Sequence, residues 1–323
     1  MNKRDTVLNL IQGDPPAETV PAAFFMHFDP AQHQGRAAID KHLEFFHYTG
    51  MDFVKIQYEN PLPPAAPIRK PEDWAHVPLY PEEFFEGPVG VAKGLVEAAR
   101  SEALVVMTLY SPFMLATHLD KEGVIADHLM ENPQAVAKGL AIMTENVLRL
   151  VRGCKRAGID GFYASTQGGE TFRFRDPDIF RKYIKPTDLA VWAEIQACPF
   201  NILHICDYEG GYSDLTPFLD YPGHVVNSSL KLGKRSLTPT EVAQMFGRPF
   251  MGGMERKGVI AAGTPQEIRQ AVTGVLAQSP ERFILAADCT IPSDTSWEHL
   301  KTAIETAHQY RRHPAAQGTE TER

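Results

Sequence analysis

Short apolar runs and longer stretches with an apolar residue every three to four positions alternate along this chain. Runs at residues 20–26, 52–57, 104–110, 161–164, 200–206, 224–227, 249–251 and 282–286 have strand length and are rich in Val, Ile, Leu and Phe. Continuous apolar runs of that kind suit strands buried on both faces. Between them, residues 37–49, 90–101, 133–157, 177–197, 239–246, 265–278 and 296–310 carry helical periodicity, and 3–12 forms a helix ahead of the first strand. Asp176-Pro177, Thr238-Pro239 and Thr264-Pro265 each set a capping side chain before a proline at the first helical position. Strand–helix alternation over the whole length predicts a single (β/α)8 TIM barrel, residues 1–311, with helix 3–12 under its floor and a polar tail at 312–323. The proline-rich stretch 61–67 reads as a stiff surface connector, and 68–85 as an insertion after the second strand.

Composition narrows the function without naming it. The 323 residues are 43% hydrophobic and 22% charged, with a formal net charge of -8. A net acidic chain lacks the basic face that nucleic acid requires, so nucleic acid is excluded as the main partner. No apolar run is long enough for a membrane span, and the opening residues do not read as a signal peptide. The four cysteines (Cys154, Cys198, Cys206, Cys289) are too few and too scattered for a disulfide framework. They are expected as reduced thiols in a cytoplasmic protein.

In a barrel of this kind chemistry gathers at the C-terminal ends of the strands. Those ends carry His27; Gln57, Tyr58, Glu59 and Asn60; Tyr110; Gln167 and Glu170; His204, Cys206 and Asp207; Asn227; Glu255 and Arg256; and Asp288 and Cys289. His204 and Cys206 are two positions apart, so in a strand their side chains share a face. A later strand could bring Cys289 opposite them. One imidazole and two thiolates form a soft N/S donor set that suits zinc and leaves a fourth position open. Such a centre can deprotonate an incoming thiol or water. His-x-Cys is a common pattern, and a free cysteine in an apolar strand is usually a small core residue. The glycine pairs 168–169, 210–211 and 252–253 fit either a close ligand approach or a simple turn. Trp74, Trp192 and Trp297 read as packing residues.

With these residues placed, the chain resembles the uroporphyrinogen decarboxylase superfamily. The likeness rests on Lys3-Arg-Asp-Thr-Val-Leu-Asn-Leu-Ile-Gln-Gly13, on Ser111-Pro-Phe-Met-Leu-Ala-Thr-His118, on Gly263-Thr-Pro-Gln-Glu-Ile268 and on the stretch from Phe283 to Thr295. True decarboxylases of that superfamily carry an arginine-rich segment after the first strand; here Phe25-Met-His-Phe-Asp-Pro30 stands in its place. They also have a tyrosine where this chain has His118, and a histidine where it has Cys289. The branch it is most similar to is the corrinoid-dependent methyltransferases acting on coenzyme M. Their zinc motif is matched by His204, Cys206 and Cys289, with Thr290 where those enzymes have glycine. The resemblance implies Zn2+ and a corrinoid (cobalamin), carried by a partner protein or free, with a methyl group moving between it and a small thiol.

Within that reading His204, Cys206 and Cys289 are the expected metal ligands, with Glu170, Asp207 and His118 as catalytic candidates. His27, Gln57, Tyr110, Gln167 and Glu255 are the expected substrate contacts. Some relatives add a glutamate ligand where this chain has Ser228 and Ser229, which leaves the fourth ligand to Asp207, Glu170 or water. A homodimer is expected by analogy. The competing readings are a metal-free lyase using Asp52, His27 or His118, and a non-catalytic corrinoid or tetrapyrrole binder on the same scaffold.

Overall fold

The structure is a computed structural model that describes residues 2–13, 19–57, 61–63, 66–120 and 123–311. The expected tail at 312–323 and the strand-end residues Tyr58, Glu59 and Asn60 lie outside the described residues.

A curled parallel sheet organises the molecule. Its strands are β1 (Phe53–Ile56), β2 (Leu104–Tyr110), β3 (Gly161–Thr166), β4 (Ile202–Ile205), β5 (Val225–Ser228), β8 (Phe250–Met254) and β9 (Phe283–Ala287), in that spatial order. Every neighbouring pair is parallel. The two-residue strands β6 (Lys231–Leu232) and β7 (Arg235–Ser236) form a small separate hairpin after β5. Almost all side chains of the seven strands are buried, because helices cover the outer face and the inner face is core, as the apolar runs require.

The expected first strand is present as extended chain rather than as a ladder. Segment 20–26 meets β9 and the turn after it only through isolated parallel bridges, Ala22 with Leu285 and Met26 with Ile291. On its other side Asp52 N–H donates to the Ala22 carbonyl at 2.9 Å, and the Asp52 carboxylate accepts Ala22 N–H at 2.7 Å. Two features of the sequence explain the lost ladder. Pro21 has no N–H to give, and the Asp52 side chain takes the donor a backbone carbonyl would otherwise receive. Seven laddered strands are therefore found in the parallel sheet among the described residues, where eight were expected.

Helix α1 (Lys3–Gln12) sits under the N-terminal ends of the strands, as expected. Arg4 grips Asp160, just before β3, with a two-pronged contact at 2.9 and 2.6 Å. Lys3 Nζ donates to the carbonyls of Gly50 and Met51 below β1, and Arg282, below β9, reaches back to the carbonyls of Leu10 and Ile11. The remaining helices are α2 (Gly35–Thr49), α3 (Glu86–Ala99), α4 (Pro112–Leu119), α5 (Ile125–Glu131), α6 (Pro133–Arg156), α7 (Lys185–Ile195), α8 (Pro239–Phe246), α9 (Val259–Ala262), α10 (Pro265–Ala277) and α11 (Trp297–Gln309). Both Thr-Pro starts carry the expected cap, with Thr238 accepting from Glu241 N–H and Thr264 from Glu267 N–H.

Two helical expectations change. The predicted helix 177–197 is broken by a wide turn at Phe180–Ile184 before α7 begins. Pro186 lacks the N–H for the regular ladder and would crowd the carbonyl four residues back, which a wide turn relieves. Helices α4 and α5 are absent from the sequence expectation because, at 8 and 7 residues, they are too short for a helical period to stand out. The insertion at 68–85 is not loose: Trp74 is fully buried and its Nε1 donates to His128 Nδ1 at 3.1 Å.

Candidate metal centre and its surroundings

The C-terminal ends of β4 and β9 bring the two cysteines and the histidine together. His204 points inward from β4, Cys206 follows two positions later on the same face, and Cys289 stands just past the end of β9. All three are buried, and their donor atoms lie within 4.8 Å of one another. Cys206 Sγ is 3.9 Å from Cys289 Sγ, and Cys289 Sγ is 3.5 Å from His204 Nε2. Both thiols are free, at almost twice a disulfide's length apart.

Those separations can be tested against a zinc ion. With Zn–S near 2.3 Å, Zn–N near 2.0–2.1 Å and tetrahedral angles, the sulfurs should lie about 3.8 Å apart and sulfur and nitrogen about 3.5 Å apart. The observed 3.9 and 3.5 Å fit.

The histidine tautomer fits too. Asn227, on β5 beside His204, spends its NH2 on the carbonyls of Met251 (2.8 Å) and Ala287 (3.0 Å). Its Oδ1 must then accept, and it takes the Tyr163 hydroxyl at 2.5 Å and His204 Nδ1 at 2.6 Å. The proton of neutral His204 is thereby held on Nδ1, and the Nε2 lone pair faces the thiols. Tyr163 also stacks on the imidazole, centroids 4.7 Å apart.

Around the triad the wall is mixed. Met114 and Tyr110 pack against Cys206 and Cys289, and Gln167 Nε2 donates to Cys206 Sγ at 3.5 Å. The hydrogen bond the two thiols share holds the Cys289 thiol well down, with His204 beside it, and together with burial pushes the Cys206 thiol well up. Burial, with Cys289 nearby, raises Asp207. Burial likewise raises Asp288, to about 6, against the pull of the Arg256 N–H it accepts at 2.9 Å. His118 lies edge-on to Tyr110, ring centroids 4.7 Å apart, and burial lowers its pKa.

The other expected site residues divide. Gln167, Asp207 and Tyr110 border the triad. Glu170 is buried in an ion pair with Arg173 (2.8 Å), and its carboxylate also accepts Gly168 N–H at 2.8 Å. His27 and Gln57 meet each other at 3.2 Å at the end of β1. Glu255 is paired at 2.8 Å with Lys231, both more than half exposed at the side chain. Asp52, which a lyase would use, lies at the opposite, N-terminal end of β1, bonded to His308.

Sequence reasoning passed over Lys55. Buried inside β1, its Nζ donates to Gln57 Oε1 at 2.5 Å and lies over the rings of Phe25 (4.7 Å) and Tyr163 (4.9 Å). A lysine within an apolar strand run was the available signal. Asn227 and Arg256 stood among the strand ends, but nothing in the sequence marked what they would face.

Among the described residues no helix is long and apolar enough to cross a membrane. The family model described as uroporphyrinogen decarboxylase (URO-D) matches residues 46–310. A methyltransferase from Methanosarcina mazei has a similar structure: TM-score 0.77 at 16% identity, covering 95% of this chain and 98% of that one. A B12-independent methionine synthase from Shewanella sp. W3-18-1, in complex with selenomethionine, aligns at TM-score 0.54 and 12% identity, over 91% of this chain and 94% of that one. At these identities the likeness is one of fold. No curated protein matches the chain.

Proposed function

Since the chain belongs to the uroporphyrinogen decarboxylase family, we propose that it is a zinc-dependent methyltransferase moving a methyl group between a corrinoid and a thiol. The observation that carries this reading is the pair of donor separations at the triad, 3.9 and 3.5 Å, with the His204 lone pair turned toward both thiols. The similar fold of a named methyltransferase supports it. In this reading segment 20–26 takes the eighth barrel position, and residues 1–311 act as one domain.

His204 Nε2, Cys206 Sγ and Cys289 Sγ would hold the zinc. The ion would supply Lewis acidity, lowering the pKa of an incoming thiol so that its sulfur can act as nucleophile near neutral pH. The chain's own groups prepare that place. Asn227 and Tyr163 fix the imidazole, and Met114 and Tyr110 give the entering sulfur an apolar wall. Gln167, through its amide on Cys206 Sγ, steadies one ligand. His118, kept neutral by burial, can accept a proton from the thiol directly or through water. Glu170, tied to Arg173 and Gly168, holds the loop that presents Gln167. His27 and Gln57 would line the far side of the substrate space. The corrinoid, free or on a partner protein, would approach from the strand-end face.

Elemental mass spectrometry of the purified chain beside Cys206→Ser and Cys289→Ser tests this. About one zinc per chain, lost in both folded variants, is expected. A folded wild type that takes up no zinc would end the reading.

A further inference from the structure

Two buried charged atoms of opposite sign stand unsatisfied beside the triad. Asp207 Oδ1 and Arg256 Nη1 are both shielded from solvent and have no hydrogen-bond partner among the described residues. They come from different strand ends: Asp207 directly follows Cys206, and Arg256 follows β8. Arg256 is well held. Its N–H donates to Asp288 Oδ1 at 2.9 Å, and its guanidinium lies 4.8 Å over the ring of Tyr208, the neighbour of Asp207. The two side chains feel each other's charge, and Arg256 also acts on Cys289. They nonetheless do not close into an ion pair, although buried polar atoms are nearly always satisfied.

An acceptor and a donor kept apart in this way are matched by a ligand group bearing the complementary pair. We propose that Asp207 and Arg256 clamp the α-amino-acid end of the thiol substrate, Arg256 receiving its carboxylate and Asp207 its ammonium. A guanidinium fork fits a carboxylate, and a carboxylate acceptor fits an ammonium. The clamp deepens the methyl-transfer reading by naming the substrate class, a small zwitterionic thiol or thioether. It needs no metal, so the two can fail separately.

Calorimetric titration of the zinc-loaded protein with homocysteine, mercaptobutanoate, mercaptopropylamine and propanethiol tests the clamp; these keep both charges, one, the other, or neither. Homocysteine should bind at least ~10-fold tighter than either singly charged thiol, the size of one charge-assisted hydrogen bond. Arg256→Met should erase the advantage of mercaptobutanoate over propanethiol, and Asp207→Asn that of mercaptopropylamine. Because the ligand series is read first on the wild type, a variant that fails to fold does not blunt the test. Repeating it on metal-free protein with methionine against its decarboxylated and deaminated analogues isolates the clamp from the zinc. Equal binding of homocysteine and propanethiol would overturn the proposal. So would an Asp207→Asn variant that loses its zinc, because Asp207 would then be a ligand.

Discussion

Asn227 Oδ1 accepts His204 Nδ1 at 2.6 Å while the amide's own NH2 is committed to two main-chain carbonyls. The amide cannot flip without setting carbonyl against carbonyl, so the imidazole has one available tautomer. With zinc held as proposed, Asn227→Leu should therefore weaken its binding roughly 10–100-fold, as loss of an outer partner of a ligating histidine does. It should also cost about 2–4 kcal/mol of stability for the carbonyls left without a donor. Competition with a chromogenic chelator on the folded variant measures the first, and urea denaturation the second. Asn227→Asp keeps the acceptor and should retain more zinc than the leucine variant. Equal affinities in the two would remove the tautomer argument.

Stability should fall as pH rises from about 4 to about 7 at one identifiable group. Asp188, in the first turn of α7 where it meets Thr166 at the end of β3, is fully buried, and burial raises its carboxyl to about 7 despite hydrogen bonds from Thr166 and Tyr221. The folded state then holds a proton that the unfolded chain releases near pH 4. That stabilisation is complete below the unfolded pKa and is lost as pH passes through the folded one. A shift of this size corresponds to at most about 4 kcal/mol. Asp188→Asn should flatten the stability–pH curve over that window and be the more stable protein above pH 7. Parallel curves for the two proteins would show that Asp188 stays ionised.

Arg4 ties the floor helix to the sheet. Its partner Asp160 has a side chain only 3% exposed, and that carboxylate also accepts Val105 N–H at 2.9 Å. Arg4→Met would leave a buried carboxylate with one main-chain donor and no counter-charge. A loss of about 3 kcal/mol is expected by urea denaturation. Adding Asp160→Asn to Arg4→Met should recover part of it, since the stranded charge is gone. A single variant within 0.5 kcal/mol of wild type, the usual range for a surface change, would show that water solvates the carboxylate after all.

The strand order and the triad were legible in the sequence because both rest on period. Apolar runs of strand length marked every laddered strand, and a two-residue step put His204 and Cys206 on one face. What stayed hidden depends on which element packs where. Asp52 taking the Ala22 N–H turned an expected strand into extended chain, and Pro186 split a predicted helix. Glu170 looked like a free acid at a strand end, yet Arg173, three residues on, occupies it. Asn227 and Arg256 were visible as strand-end residues, but their partners come from other strands, up to 60 residues away. Local pattern carries no record of such pairings.

Under the proposed function, metal removal separates a zinc that works from a zinc that holds the fold. His204 is fixed by Asn227, Cys206 N–H is bonded to the Thr166 carbonyl at 3.0 Å, and the ladder of β8 with β9 leads to Cys289. None of these contacts requires an ion, so the site is preformed. Chelation should leave the far-ultraviolet circular dichroism unchanged and remove activity. Restoring zinc at a thousand times its dissociation constant should stabilise the protein by about 4 kcal/mol, a rise of roughly 5–10 °C in melting temperature. The Cys206→Ser variant should show little of that rise, since one thiolate is missing. Unfolding on chelation would instead make the zinc structural, a closed site without an open position for substrate.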